Sequence, residues 1–473
     1  MMETIKIENS FTQILTPEQA WYFKVIPFAK ENGTIKVFSI SENISNQDEL
    51  EMILNSKVIL EPIEEEKLIL LLNKHYRKNI SKAILNEQVS ELSWQQNDFV
   101  ENLIQEALQL NSSDIHIEPL DSNAKVRFRI DGRLIERHTL DLVKYAELIN
   151  RIKIKANLDI SEKRLPQDGR ILSKTSTQKL DLRISIIPTL CGEKIVLRLL
   201  GTNAEHLDLN ELGLTKEDLN NYLMGTKKSN GIILISGPTG SGKTTTLYAT
   251  LKLLNKPDVN IMTIEDPVEY TLNGINQVQV KENIGLTFAA SLRSFLRQDP
   301  DIIMVGEIRD KETAELAIRA SLTGHLVLST IHTNSAWGTI NRLKDMGIPS
   351  FLIADTLNTS VAQRLLRTLC TICKVKVNHT ELSDEMKNYI EKDKQDSIYK
   401  AVGCESCYFT GYSGRQAIYE VINVNEDVKA KIKNEDASLN KESKYKSLQQ
   451  NALHLLFDGM TTCEEVYPIL ISK

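Results

Sequence analysis

Residues 231–247, GIILISGPTGSGKTTTL, decide the fold of the region around them. A β-branched run (Ile232, Ile233, Ile235) ends in Gly237-Pro238-Thr239-Gly240-Ser241-Gly242-Lys243-Thr244, and Thr245 leads into a stretch that reads as helix. This is G-x-x-x-x-G-K-[ST] with a strand before it and a helix after it, the setting in which the pattern cradles phosphate. The glycines let backbone N–H groups turn inward around an anion, and a helix N-terminus near Lys243 adds its positive dipole end. Lys243 is placed to reach the β- and γ-phosphates, and the Thr244 hydroxyl to ligate Mg²⁺. The stretch predicts binding of a nucleoside triphosphate with magnesium, as ATP or GTP.

From 214 to about 365, apolar strands alternate with helical patterns, the signature of a parallel sheet with crossovers. Three of those strands end in polar residues, and in such sheets ligands sit at the carboxyl strand ends. IMTIEDPVEY presents Glu265, Asp266 and Glu269, acids able to order a metal or a water. DIIMVGEIRD (301–310) is a Walker B strand with Gly306 where an aspartate usually holds Mg²⁺ through water. Glu307 is therefore the candidate general base, the ordinary alternative being a salt bridge to Arg309. Part of the metal's outer shell then falls to the preceding acidic box. GHLVLSTIHTN (324–334) places His332 at a strand end beside Thr330, Thr333 and Asn334, where a γ-phosphate sensor would stand; His325 opens the strand at its other end. Arginines that could offset charge in the transition state are Arg293 and Arg297, expected on one face of a helix at 289–301, and Arg127, Arg129, Arg133 and Arg170 in or beside strand turns.

The rest of the chain sets the frame. It has 473 residues, a net charge of −6 and an ordinary 41% of hydrophobic residues, enough for about three domains with cores of their own. No basic excess advertises a nucleic-acid groove. The longest apolar runs fall far short of the ~20 residues a membrane span needs. Residues 1–20 carry Glu3, Glu8 and Glu18 and lack the pattern of a secretory signal, so a cytoplasmic protein is expected. Residues 1–87 read as a small α/β domain with strands at 34–40 and 57–63 and a helix at 64–77. Residues 88–200 read as a second α and β unit with an Asp131-Gly132 hairpin turn. Residues 201–213 read as a linker, 214–365 as the nucleotide-binding core, 366–420 as a cysteine module and 421–473 as a helical segment.

Of six cysteines, Cys370, Cys373, Cys404 and Cys407 form two C-x₂-C knuckles. In a reducing compartment this reads as a tetrathiolate zinc site, and four protein ligands leave no open position, so its role is structural. The spacer exceeds the usual length, and residues 380–400 look like a charged helix. Cys191 and Cys463 are ordinary thiols.

Taken together, SDIHIEP (113–119), RLPQDGR (164–170), the phosphate loop, ITIEDPVEY, LRQDPDIIMVGEIRD, GHLVLSTIHTN and the cysteines around LLRTLCTIC and GCESCYFTGYSGR resemble one family. It is that of the hexameric secretion ATPases of type II secretion and type IV pilus assembly, the GspE/PilB group. The resemblance runs from about 110 to 420 and more faintly into the N-terminal domain. In that family the Gly-Glu form of Walker B is normal. The resemblance implies a RecA-like P-loop core, a preceding PAS-like α+β domain and a ring of six copies. Hydrolysis of ATP in that ring would act on an inner-membrane platform protein, with the chain peripheral to that membrane. It implies that second-domain arginines contact nucleotide, and Arg127, Arg133 and Arg170 lie in the matching stretches. Retraction motors of the superfamily lack the cysteine module, so assembly or secretion is expected, with pseudopilus-based DNA uptake a compatible use. The alternative is a RecA-like nucleic-acid translocase, which the acidic charge disfavours. Two departures stand out. Residues 1–87 lack the Leu/Gly-patterned repeat with which some relatives bind a cyclic dinucleotide, so no such regulation is expected. SAWGTINRLKDMG (335–347) also departs from the usual segment, with Trp337 expected exposed or against a neighbour.

Overall fold

The computed structural model describes residues 11, 14–31, 33–41, 47–54, 56–65, 67–68, 71–72, 76, 99–174, 179–200, 208–377, 382–390, 398–434 and 444–472. They fall into two compact units, one of residues 1–97, 367–414 and 455–464, the other of the remainder. Among them no helix is long and apolar enough to cross a membrane.

The first unit opens with helix α1 (Pro17–Phe23). Thr16 and Gln19 form a reciprocal capping box there, and Pro17 supplies the preset φ of a first helical turn. Strands β1 (Ile26–Glu31), β2 (Thr34–Ser39) and β3 (Val58–Pro62) make a three-stranded sheet, with α2 (Gln47–Leu54) between β2 and β3. The alternating burial along β2 turns Ile35 and Val37 inward onto Leu15, Val25, Leu50, Leu68 and Tyr76. Of the helix expected at 64–77, residues 65, 67–68 and 71–72 are described and helical, with Leu68 and Leu72 buried in this core.

In the second unit, α3 (Phe99–Gln109) precedes β4 (Ser112–Pro119), β5 (Ala124–Ile130) and β6 (Arg133–Leu140). Helix α4 (Leu142–Lys155) then leads to β7 (Gln167–Lys174), β8 (Lys179–Thr189) and β9 (Gly192–Leu200). The sheet order is β6-β5-β4-β9-β8-β7, antiparallel throughout. Asp131 and Gly132, at φ 48° and 87°, make the β5–β6 turn, a conformation that suits the right-handed twist of the paired strands. The stretch read as a linker is described from Asp208 onward, where Leu209 packs into the core that follows.

That core is a mixed α/β fold on a seven-stranded sheet. Helix α5 (Lys216–Thr226) leads into β10 (Gly231–Ser236), α6 (Lys243–Leu254), β11 (Ile261–Glu265), β12 (Asn276–Gln279) and α7 (Phe288–Phe295). There follow β13 (Ile302–Val305), α8 (Lys311–Leu322), β14 (Leu326–Ile331), α9 (Ala336–Asp345), α10 (Ser350–Thr356) and β15 (Leu357–Leu369). After β16 (Val375–Lys376), α11 (Asp384–Lys387) and β17 (Tyr399–Lys400), β18 (Tyr412–Asn423) closes the sheet in the order β12-β11-β13-β14-β10-β15-β18. Helices α12 (Glu426–Lys433), α13 (Leu448–Phe457) and α14 (Cys463–Ile471) end the chain. Strands β12 to β15 in that order are parallel neighbours. Every residue of β10, β13 and β14 is buried, as expected of a parallel sheet covered on both faces.

Four local expectations are corrected. The last sheet strand crosses the boundary placed at 420. The spacer between the knuckles is not a long helix among its described residues: it has one helical turn, α11, and a β16–β17 ladder. Helix α7 stops at Phe295, capped by Leu296, so Arg297 lies past its end. Trp337 is buried on α9, whose inward face also carries Ala336, Ile340 and Leu343.

Leu234, fully buried in the middle of β10, tests the core. Leu234→Ala is expected to cost about 3 kcal/mol, read as a lowered denaturation midpoint.

Candidate active site

The loop after β10 is shaped for an anion. Gly237, Gly240 and Gly242 take φ values of 151°, 78° and 87°, which side chains rarely tolerate. A Cβ on Gly237 would stand 2.5 Å from the Gln363 carbonyl oxygen and 2.6 Å from Ser241 Oγ. Gly242 caps α6 without a side-chain hydrogen bond, so no side chain caps the N–H groups at that helix start. Ser241 Oγ is buried and has no partner among the described residues. These orphaned donors fit a polyphosphate. Lys243 Nζ donates to the carbonyls of Gly237 at 2.9 Å and Pro238 at 3.0 Å. Burial pulls its pKa below the ordinary value, while the Glu307 charge opposes that shift and the Arg364 charge adds to it. Pro238, Thr239, Gly240 and Thr244 are exposed and Thr245 is half-buried.

Glu307 follows the end of β13. Gly306 N–H donates to the Ile264 carbonyl at 2.7 Å, Thr330 Oγ1 donates to the Gly306 carbonyl at 2.7 Å, and Ile308 N–H donates to the Thr330 carbonyl at 2.9 Å. A Cβ on Gly306 would lie 3.2 Å from the Ile264 oxygen and 3.3 Å from Glu265 Cα, so a side chain here would press on the β11 backbone. Glu307 is 14% exposed, pairs with Arg309 and has His332 Nε2 at 3.3 Å. Both the base reading and the Arg309 salt bridge therefore have a geometric footing. Thr333 Oγ1 donates to the Ser335 carbonyl, and Ser335 Oγ accepts from Gly338 N–H as the cap of α9. His325 stands at the other end of β14, its Nδ1 2.9 Å from the Ala320 carbonyl.

The acidic box divides. Glu265 is 3% exposed and accepts from Tyr248 Oη, Thr263 Oγ1 at 2.5 Å and Gln277 Nε2 at 3.1 Å. Burial raises its pKa above the ordinary 4.5, more than those hydrogen bonds lower it. Glu269 is more open, lies 3.9 Å from Arg183 and donates its N–H to Tyr248 Oη. Arg183, on β8, also donates to the Val268 carbonyl, so it is this arginine of the antiparallel domain that touches the box within one chain. The arginines expected from sequence are engaged elsewhere. Arg127 pairs with Glu118 at 2.5 Å, Arg170 with Asp181, Arg293 with Glu312, and Arg129 with Asp114. Arg297 donates to the Arg293 carbonyl at 2.8 Å, and Arg133 is exposed at the start of β6.

Three further residues escaped the sequence reading because strand order, not motif, places them. Gln363, on β15, accepts from Thr246 Oγ1 at 2.9 Å. Arg364 donates to the Asn334 carbonyl at 2.9 Å. Glu420, buried on β18, accepts from the N–H groups of Ala336 at 3.1 Å and Leu448 at 3.4 Å, the first residues of α9 and α13.

In the other unit, the Sγ atoms of Cys370, Cys373, Cys404 and Cys407 all lie within 4.8 Å of one another. The separations 370–404, 373–407 and 404–407 are 3.9, 3.7 and 3.7 Å. Tetrahedral zinc with Zn–S near 2.3 Å requires about 3.8 Å, so the cluster fits that ion. Backbone N–H groups of Gly403, Cys404 and Gly411 donate to these sulfurs, as thiolate ligands need. Ile372, between the first two ligands, packs on the N-terminal core of the same unit.

The family described as "Type II/IV secretion system protein" matches residues 93–468. The chain belongs to this family. The type IV pilus assembly ATPase PilB of Myxococcus xanthus is 48% identical over 372 residues, which are 77% of this chain and 66% of that protein. The type II secretion system ATPase E of Vibrio cholerae is 44% identical over 370 residues, 77% of this chain and 73% of that protein. The crystal structure of the pilus retraction motor PilT with bound ADP superimposes with a TM-score of 0.54 at 26% identity, covering 78% of this chain and 96% of that one. This secretion-family chain is thus an ATPase of the group that serves type II secretion and type IV pilus assembly.

Two measurements check the site's surroundings. Purified protein is expected to hold one zinc per cluster, and Cys370→Ser to lose the metal and lower the denaturation midpoint; metal content unchanged in that variant refutes the ligand set. Because the folded pKa of Glu265 lies above its unfolded one, its contribution to stability is full below the unfolded value and is lost as pH rises through the folded value. Wild type should therefore lose stability relative to Glu265→Gln as pH is raised from about 4 to 8, followed by denaturant midpoints at each pH.

Proposed function

We propose that the chain is a cytoplasmic motor that forms a homohexameric ring and hydrolyses ATP to drive assembly of a pilus or of the pseudopilus of type II secretion. Its partners would be an inner-membrane platform protein and cytoplasmic-domain proteins of the same machine, which would hold it at that membrane, with no nucleic acid bound directly. The observation that carries this reading is the meeting of Lys243, Glu307 and His332 at the carboxyl ends of β10, β13 and β14. Gly237 to Gly242 would wrap the phosphates, with Lys243 on the β- and γ-groups. The Thr244 hydroxyl would hold Mg²⁺, which when bound neutralises charge on the transferred phosphoryl group.

Glu307 would accept the proton of a water as its oxygen attacks the γ-phosphorus, the bond to the β–γ bridging oxygen breaks and ADP departs. His332, 3.3 Å from Glu307, would hold that carboxylate in line, and Arg309 would pair with its other side. Glu269 would order the metal's outer shell, and Glu265 would fix the strand end beneath it. The tetracysteine cluster would hold zinc in a structural role. Arg127, Arg133, Arg170, Arg293 and Arg297 would reach nucleotide only from a neighbouring protomer.

Turnover of Mg·ATP by purified protein tests the assignment. Glu307→Gln is expected to cut kcat by at least about 100-fold with ATP still bound, the scale of losing a general base. Lys243→Ala is expected to lose binding as well, and turnover unchanged in both variants overturns the reading. Stimulation of turnover by single-stranded DNA, falling steeply with salt, would instead establish a nucleic-acid translocase.

A further inference from the structure

Lys243 and Glu307 leave one cation at the cradle without a role. Ser236, the last residue of β10, pairs with Ala362 of β15, and Arg364 follows two residues later. The parallel register therefore delivers Arg364 to the carboxyl end of the sheet beside the first glycine of the loop. Its Nη1 stands 3.2 Å from the point a Gly237 Cβ would occupy and donates to the Gln363 carbonyl at 3.0 Å. Its Nη2 donates to the carbonyl of Asn334, two residues after His332. Both partners are neutral, and neither Arg364 nor Lys243 forms an ion pair among the described residues. Burial disfavours the charge on each, and the Arg364 charge further disfavours a protonated Lys243. Glu307 and Glu420 offset this only from beyond contact distance.

Two desolvated cations crowded at one end of a loop are costly unless an anion joins them. The loop end they share is the one spanned by Lys243 across the Gly237 and Pro238 carbonyls, where the β- and γ-phosphates of a bound nucleotide lie. A guanidinium has five N–H donors in a fixed fork, so it can keep its two carbonyls and still engage a phosphate.

We propose that Arg364 is a phosphate-binding residue acting within its own protomer: it bonds the γ-phosphate of ATP while holding the Asn334 carbonyl. The segment His332–Asn334 is thereby tied to the γ end of the nucleotide. The assignment rests on the ATPase reading above, which fails separately if the parent protein binds no nucleotide.

The test is equilibrium titration of the full chain, in a Glu307→Gln background that blocks turnover, with Mg·ATP and with Mg·ADP. Arg364→Gln should weaken ATP by about tenfold or more, the loss of one charge-assisted hydrogen bond, and ADP by less than about threefold. Arg364→Lys, which keeps the charge but not the fork, should fall between. The melting temperature without nucleotide is read beside each titration, because Arg364→Gln also gives up the bonds to the Gln363 and Asn334 carbonyls. Equal weakening of ATP and ADP, no weakening of either, or a lower melting temperature that accompanies both losses overturns the assignment.

Discussion

Parallel register is the constraint on which the site depends. Because β13, β14, β10 and β15 run side by side in one direction, whatever follows their last residues arrives at one edge of the sheet. The phosphate loop, Glu307, His332 and Arg364 are far apart in the chain and share that edge only for this reason. At the other end of the sheet His325, at the start of β14, ties the end of α8 through the Ala320 carbonyl. A register slip of one residue would turn Glu307 and Arg364 to the opposite faces, so the unbroken burial of β10, β13 and β14 also fixes the chemistry.

Gly306 shows how tightly the edge is made. A side chain at this position would press on the backbone of β11, whose Ile264 carbonyl also receives the Gly306 N–H. Glu307 is pinned from both sides by the bonds of Gly306 and Ile308 to β11 and β14. A second clamp lies further along the sheet. Buried Glu420 closes the N-termini of α9 and α13 together, and burial raises its pKa while the three backbone N–H groups it accepts lower it. A carboxylate between two helix N-termini meets two positive dipole ends, which offset part, not all, of the cost of burying its charge. The segment carrying His332 is thus held at Asn334 by Arg364 and at Ala336 by Glu420.

What could be read from sequence was what is local. The phosphate loop, the strand-end acids, the histidine box and the cysteine knuckles each lie within a few residues whose spacing dictates their chemistry. Arg183, Arg364 and Glu420 do not, because their partners are set by strand order and by a contact between two sheets. The same limit explains the misplaced details. Trp337, expected exposed or against a neighbour, is put by the helix period on the inward face with Ile340. Residues 380–400 are rich in helix formers, but pairing of Val375–Lys376 with Tyr399–Lys400 beside the cysteines overrides that preference in the described part. Arg297 was lost to a boundary: Leu296 ends the helix, and the left-handed Asp299 before Pro300 turns the chain away.

The arginine pairs set the terms on which a neighbouring protomer could complete the site in the proposed ring. Arg170 is open to water and its partner Asp181 is half-buried, so that pair is weaker than a buried one and Arg170 can be exchanged for a phosphate at modest cost. Exposed Arg133 has less still to give up. Arg127 is different: its partner Glu118 is largely buried and also receives Lys194, and Arg127 Nε is itself buried without a hydrogen bond. Withdrawing Arg127 would leave Glu118 with one cation in place of two, a larger loss than breaking a surface pair. Arg183 already spans the antiparallel domain and the acidic box. The order in which these arginines could be recruited therefore follows from what each must leave behind, with Arg133 and Arg170 first and Arg127 last.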